Sequence, residues 1–130
     1  MSLSITTLYV LPLIALWFVL WVRVASARAK ANCSIGDNGD KALLHTIRLH
    51  GNFIEWVPFV LVLMILAEAQ GAGALWLHAA GAMLLLGRLA HPFGLKIDNA
   101  AHPLRNVSNG SNHLAVAILT IALVRIATGM

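Results

Sequence analysis

Charged residues are scarce in this chain. They make up 11% of its 130 residues, apolar residues make up 59%, and the mean hydropathy is +0.81. Because a soluble domain usually carries about 25% charged residues, the composition excludes an ordinary soluble domain. The apolar stretches are continuous rather than alternating, which excludes a transmembrane β-barrel. The sequence therefore predicts an all-α integral membrane protein.

Several kinds of site are missing as well. The single cysteine, Cys33, excludes an intrachain disulfide. The six histidines never recur at the i, i+4 spacing of helical metal ligands, so no metal site is predicted. The net charge is +4, but the basic residues form no tract, so no nucleic-acid partner is predicted. No glycine-rich phosphate loop, nucleophile elbow or internal repeat is present.

Four long apolar segments predict a membrane four-helix bundle, with residues 1–130 as one domain. The helices are expected at about 3–30, 41–69, 74–95 and 105–128. The first polar loop, residues 31–40, is rich in Gly, Asn and Asp, which suit positive φ. Asp40 at its end is expected to cap the second helix.

Lysine and arginine are concentrated in the two long loops. Residues 23–41 hold four of them and residues 88–105 hold three, whereas the N-terminus and the turn at 70–74 hold none. The positive-inside rule then places both loops in the cytoplasm and both termini outside. The polar halves of all four helices share one leaflet in this topology. We expect a polar, positively charged cavity near the cytoplasmic face and a dry, apolar outer half.

Three polar residues mark one stripe of the second helix. Arg48, Asn52 and Glu55 are spaced i, i+4, i+7 and therefore lie on one side. Such groups are costly in hydrocarbon, so the stripe is expected to face protein or a wet cavity and to mark a site. Arg48 and Glu55 are about 10.5 Å apart along the axis, and no direct pair between them is expected. Arg88 suits either a boundary arginine or a ligand group, and His91 suits either packing or ligand contact.

Two motifs and a loop resemble a known family. R-L-H-G-N-F-I-E-W-V-P in the second helix, G-R-L-A-H-P-F-G-L in the third, and the G-D-N-G-D loop are similar to the small bacterial members of the MAPEG family (membrane-associated proteins in eicosanoid and glutathione metabolism). The resemblance covers nearly the whole chain. It implies a left-handed four-helix bundle that assembles as a homotrimer in the bacterial inner membrane. It also implies glutathione bound between subunits near the cytosolic side.

The resemblance implies roles for individual residues. Arg105 matches an arginine at the start of the fourth helix in the prostaglandin E synthase branch, and Asn106 stands where that branch has a serine. Leu95 stands where the eicosanoid enzymes have a tyrosine. The candidate glutathione-binding residues, including Arg88 from the polar leaflet, are Arg28, Arg48, Asn52, Glu55, Arg88, His91 and Asn106.

The predicted function is a glutathione-dependent membrane transferase or peroxidase. Arginine forks bind carboxylates, and Glu55 suits the ammonium group of glutathione. Arg105 is the candidate catalytic residue, because a guanidinium favours the thiolate that attacks a lipophilic electrophile from the bilayer. A hydrogen bond from Asn106 or Ser108 is expected to assist. The alternative is a non-catalytic binding or scaffold protein, which Leu95 favours. A third reading, a small transporter or channel subunit, is disfavoured by the dry outer half.

Overall fold

The computed structural model describes residues 3–130, and no described residue lies in a strand. The all-α fold is therefore confirmed. The four helices are α1 (Ser4–Ala31), α2 (Lys41–Ala69), α3 (Ala74–Gly94) and α4 (Pro103–Thr128). Their ends differ from the predicted ends by at most two residues.

Three helices, α1, α2 and α4, are long and apolar enough to cross a membrane. The 28 residues of α1 reach about 42 Å, more than the roughly 30 Å of a hydrocarbon core. The 21 residues of α3 also reach about 31 Å, but this helix carries His78, Arg88 and His91. Arg88 and His91 are buried inside the protein, so α3 brings its polar groups into the bundle rather than to lipid. The chain is an integral membrane helical bundle.

The helices run up and down in turn. The start of α1 contacts the end of α2, where the Ile5 amide donates to Glu68, and the start of α2 contacts the end of α3, where His45 bonds Leu95. Both α2 and α3 pack against every other helix, whereas α1 and α4 do not pack against each other in the described part of the chain. The beginnings of α2 and α4 and the ends of α1 and α3 therefore meet at one end of the bundle.

Local chemistry fixes where the second helix begins. The Asp40 carboxylate accepts hydrogen bonds from the backbone amides of Ala42 and Leu43, at 2.8 and 3.1 Å. This confirms the predicted cap, which satisfies amides that the first helical turn leaves without partners. In the preceding loop, Gly36, Asn38 and Gly39 have positive φ, as the turn-rich composition predicts.

Glycines allow α3 and α4 to approach closely near the polar end. A β-carbon on Gly87 would lie 3.0 Å from Ser111 Cβ and 3.1 Å from the Ser108 carbonyl oxygen. A β-carbon on Gly94 would overlap the backbone of Leu104 and Arg105. The absence of a side chain at Gly94 therefore sets the position of the first turn of α4, and with it that of Arg105.

The half of the bundle that was predicted to be apolar and to face outside also contains polar contacts. The Glu68 carboxylate accepts the amides of Ile5 and Thr6 at 2.9 and 2.8 Å, and so caps α1, which has no side-chain cap of its own. The Tyr9 hydroxyl lies 3.1 Å from His78 Nδ1. The prediction was wrong here because it rested on the composition of each segment, whereas these polar groups form hydrogen bonds with each other where three helices end.

Candidate functional site

A cavity of about 140 Å³ lies where α2, α3 and α4 meet at the polar end of the bundle. Each helix contributes at least one polar side chain to it, and two of these side chains are arginines. No carboxylate among the described residues lines it. The cavity is thus a positively charged recess with amide and imidazole groups, which is the chemistry of a carboxylate-binding site. The residues that line it are Arg48, Asn52, His91, Leu95, Arg105 and Asn109.

On α2, Arg48 forms an ion pair with Glu55, with Nη2 3.2 Å from Oε1 and 3.4 Å from Oε2. The prediction that the two cannot pair was wrong. It compared the backbone rise with the length of an ion pair and left out the reach of the arginine side chain. Seven residues are nearly two turns, so the side chains share a face. Gly51 lies between them along the helix. A β-carbon added to Gly51 would lie 3.4 Å from Arg48 Nη1, so the glycine leaves room for the arginine side chain to extend toward Glu55.

Asn52 is held in place by Arg88. Arg88 Nη1 donates to Asn52 Oδ1 at 2.8 Å and to its carbonyl oxygen at 3.4 Å. Arg88 Nη2 donates to Ser108 Oγ at 3.2 Å, and that hydroxyl donates to the Gly87 carbonyl at 2.7 Å. Since Arg88 is only 2% exposed and does not line the cavity, it acts here as a buried clasp between α2, α3 and α4.

His91 and Arg105 complete the cavity from α3 and α4. His91 is buried and lines the recess one turn beyond Arg88. Arg105 is half-buried, and its Nη1 donates to the Ala100 carbonyl at 3.1 Å. This bond uses one of the five N–H groups of the guanidinium, so donors remain for a ligand.

Three other predicted site residues lie apart from the cavity. Arg28 Nη1 donates to the carbonyls of Cys33 and Gly36, at 3.2 and 2.9 Å, and so anchors the first loop. Glu55 is half exposed and touches the recess only through Arg48. Asn106 is exposed and points away from the lining. Within one chain these three residues do not line the cavity, and their contacts with a ligand stay predictions.

Asn109 lines the cavity, although the sequence reasoning did not select it. Helical periodicity contains the signal for it, because Asn109 follows Arg105 by four residues and therefore lies on the same side of α4. Asn106, which follows by one residue, is turned about 100° away. Ser108 is fully buried and committed to Arg88 and Gly87.

The sequence matches the model of the MAPEG family over residues 6–125. The chain belongs to the MAPEG family. It is 39% identical over 71 residues to the inner membrane protein YecN of Escherichia coli, in strain K12 and in strain O6:H1. The matched segment covers 55% of this chain and 54% of each relative, about half the length of the curated relatives it matches. No solved structure matches.

Membership of the MAPEG family confirms the resemblance seen in the sequence. The inner-membrane relatives and the three membrane-crossing helices also confirm an integral protein of the inner membrane. The YecN name gives a location and no activity. The side of the membrane on which the termini lie stays a prediction, as does the homotrimer.

Proposed function

We propose that this MAPEG protein binds glutathione in the cavity between α2, α3 and α4 and activates its thiol for attack on a lipophilic electrophile. One observation supports this above all: Arg48 and Arg105 converge with Asn52, His91 and Asn109 on one recess that no carboxylate lines. Glutathione brings two carboxylates, which arginine forks bind, and one ammonium group, for which Glu55 is the nearest anion on α2.

The ion pair between Arg48 and Glu55 suits an exchange of partners. Both side chains are half exposed, and exposed ion pairs of this kind contribute about 0–1 kcal/mol. A ligand with both charges can therefore replace the pair at little cost, with its carboxylate on Arg48 and its ammonium on Glu55. The buried clasp formed by Arg88 keeps Asn52 in place during this exchange.

The size of the cavity supports a shared site. Enclosed ligand sites usually measure about 300–1,000 Å³, and this one is about 140 Å³. One chain therefore covers part of a glutathione molecule and leaves the rest to a second surface. A neighbouring subunit of the proposed homotrimer supplies that surface, and its Arg28, which lies away from the cavity in its own chain, is a candidate to contribute.

The proposed chemistry requires little of the protein beyond charge. A cysteine thiol has an ordinary pKa of about 8.5, and an adjacent guanidinium in a partly dry site lowers the pKa of the thiol. Arg105 supplies that guanidinium. The thiol proton leaves to water, the thiolate sulfur forms a bond to the electrophilic carbon, and the leaving group departs with its electron pair. The electrophile reaches the site from the bilayer.

One observation favours a second function, a non-catalytic binding or scaffold protein. Leu95 is an apolar member of the lining, and in the part of the chain that the structure describes no hydroxyl side chain lines the cavity. Ser108, which was expected to assist, is committed to Arg88 and Gly87. A protein that binds glutathione without stabilising the thiolate fits this lining as well.

Two measurements on purified, detergent-solubilised protein separate these functions. Glutathione is titrated while the ultraviolet absorbance of the thiolate is followed, and conjugation of chlorodinitrobenzene is assayed in parallel. The enzyme predicts a saturable thiolate signal and turnover, both lost in Arg105→Ala and kept in Arg125→Ala, which removes an arginine from the opposite end of the bundle. Binding without a thiolate signal or turnover would support the scaffold. Absence of binding would contradict both functions.

A further inference from the structure

A second and larger cavity adjoins the candidate site at the same end of the bundle. It measures about 330 Å³ and lies between the start of α2 and the residues that follow α3. Arg48 and Leu95 form the wall between the two cavities, since both line each of them. Apart from this shared wall, nothing in the proposed glutathione chemistry uses the second cavity.

The charge of the second cavity is positive. Lys41 and Lys96 line it, and neither forms an ion pair with another described residue. One carboxylate, Asp98, also lines it and opposes them. His45 adds no positive charge here: its Nε2 lies 2.8 Å from the Leu95 carbonyl, which only accepts, so Nε2 donates to it and the ring joins the start of α2 to the end of α3.

The rest of the lining is apolar and open. Leu44 is 43% exposed and Ile97 is 52% exposed, and both line the cavity. A free inorganic anion gains nothing from these side chains. A molecule with an anionic head and hydrocarbon attached to it gains from both kinds of surface, because the cations take the head and the apolar side chains take the carbon next to it.

The position in the fold fits such a molecule. Lys41 begins α2, which is long and apolar enough to cross a membrane, and Lys96 follows the end of α3, so the cavity lies at an end of the bundle, where lipid headgroups are expected. Eight of the nine basic residues lie toward this end of the bundle, Arg125 being the exception. We propose that this second cavity binds the phosphate headgroup of an anionic phospholipid, through Lys41 and Lys96, with Leu44 and Ile97 against the glycerol and the first methylenes.

The test uses the full-length protein in neutral detergent micelles that contain pyrene-labelled phosphatidylglycerol. Energy transfer from the tryptophans to pyrene reports lipid held on the protein. We expect saturable transfer that unlabelled phosphatidylglycerol reverses and that phosphatidylcholine and inorganic phosphate leave unchanged. Juxtamembrane cations attract anionic lipid by about 1 kcal/mol each, so Lys41→Gln with Lys96→Gln should weaken binding about tenfold or more.

A matched variant and a variant of opposite sign sharpen the test. Arg23→Gln with Lys30→Gln removes the same charge from exposed positions at the same end, and it should leave binding within about twofold. Asp98→Asn removes the opposing carboxylate and should tighten binding by a few-fold. Equal losses in the two double variants would show general attraction to positive charge and would overturn the proposal. Displacement by inorganic phosphate, or unchanged binding in the Lys41/Lys96 variant, would overturn it as well.

Discussion

Because α3 and α4 approach closely, we expect three glycine-to-alanine substitutions to change the free energy of unfolding in different directions. In Gly94→Ala the new β-carbon would overlap the backbone of Leu104 and Arg105, which cannot rotate away as a side chain would. In Gly87→Ala the nearest atoms lie at 3.0–3.1 Å, so the neighbours must move by a few tenths of an ångström. In Gly110→Ala nothing lies within 4 Å of the new β-carbon.

The magnitudes follow from two opposing effects. Alanine is better than glycine inside a helix by about 0.8–1.0 kcal/mol, whereas an overpacked contact costs about 1–3 kcal/mol and occasionally more. Gly110→Ala should therefore raise the free energy of unfolding by up to about 1 kcal/mol. Gly87→Ala should leave the free energy of unfolding unchanged or lower it slightly. Gly94→Ala should lower the free energy of unfolding by at least about 2 kcal/mol, because α4 must move as a whole.

Equilibrium unfolding in mixed micelles, followed by helical circular dichroism, measures all three variants against the parent. The displacement of α4 in Gly94→Ala should also shift Arg105 and weaken glutathione binding, whereas Gly110→Ala should bind as the parent does. If Gly94→Ala were as stable as Gly110→Ala, the two helices would not approach as closely as described, and the account of how Arg105 is positioned would be refuted.

Three further substitutions test individual contacts by the same unfolding assay. Ser108→Ala removes one of the two residues that accept hydrogen bonds from the buried Arg88 and should cost about 1–3 kcal/mol; a change below about 0.5 kcal/mol would contradict the clasp. Asp40→Ala removes the cap of α2 and should cost about 1 kcal/mol, and equal stability with the parent would argue against the cap. Glu68→Gln leaves one of the two α1 amides facing an NH₂ group, so about 1–3 kcal/mol should be lost. Early hydrogen exchange at the start of α1 should accompany that loss, and unchanged protection there would refute the role of Glu68.

The number and extent of the helices could be predicted from the sequence because local signals mark their ends. Asp40 is a cap, the turn-rich loop before it supplies positive φ at Gly36 and Gly39, and long apolar runs fill the rest. Family membership followed from the motifs on α2 and α3. These features depend on neighbours along the chain, which a sequence displays directly.

The rotation of each helix was harder to predict, because tertiary packing sets it. Arg88 and Arg105 are both arginines at the polar end of the bundle, yet one is a buried clasp and the other lines the cavity. Asn109, rather than Asn106, reaches the recess. The buried Ser108 and Asn112 mark the face of α4 that points into the bundle, and Asn109 lies next to that face.

Partners that meet only through long side chains or across helix ends were also missed. The pairing of Arg48 with Glu55 depends on the reach of an arginine side chain over Gly51. The cap that Glu68 gives α1 joins residues more than sixty positions apart. Composition and periodicity describe single helices and do not contain such contacts.

The central claim is that α2, α3 and α4 together form a carboxylate-binding cavity for glutathione. Isothermal calorimetry of glutathione binding tests it most directly, with Arg48→Gln and the matched Arg23→Gln beside the parent. We predict saturable binding that weakens at least about tenfold in Arg48→Gln, since a charged hydrogen bond contributes about 1.5–3 kcal/mol, and that Arg23→Gln leaves unchanged. Absence of saturable binding in the parent, or equal affinities of the two variants, would contradict the claim.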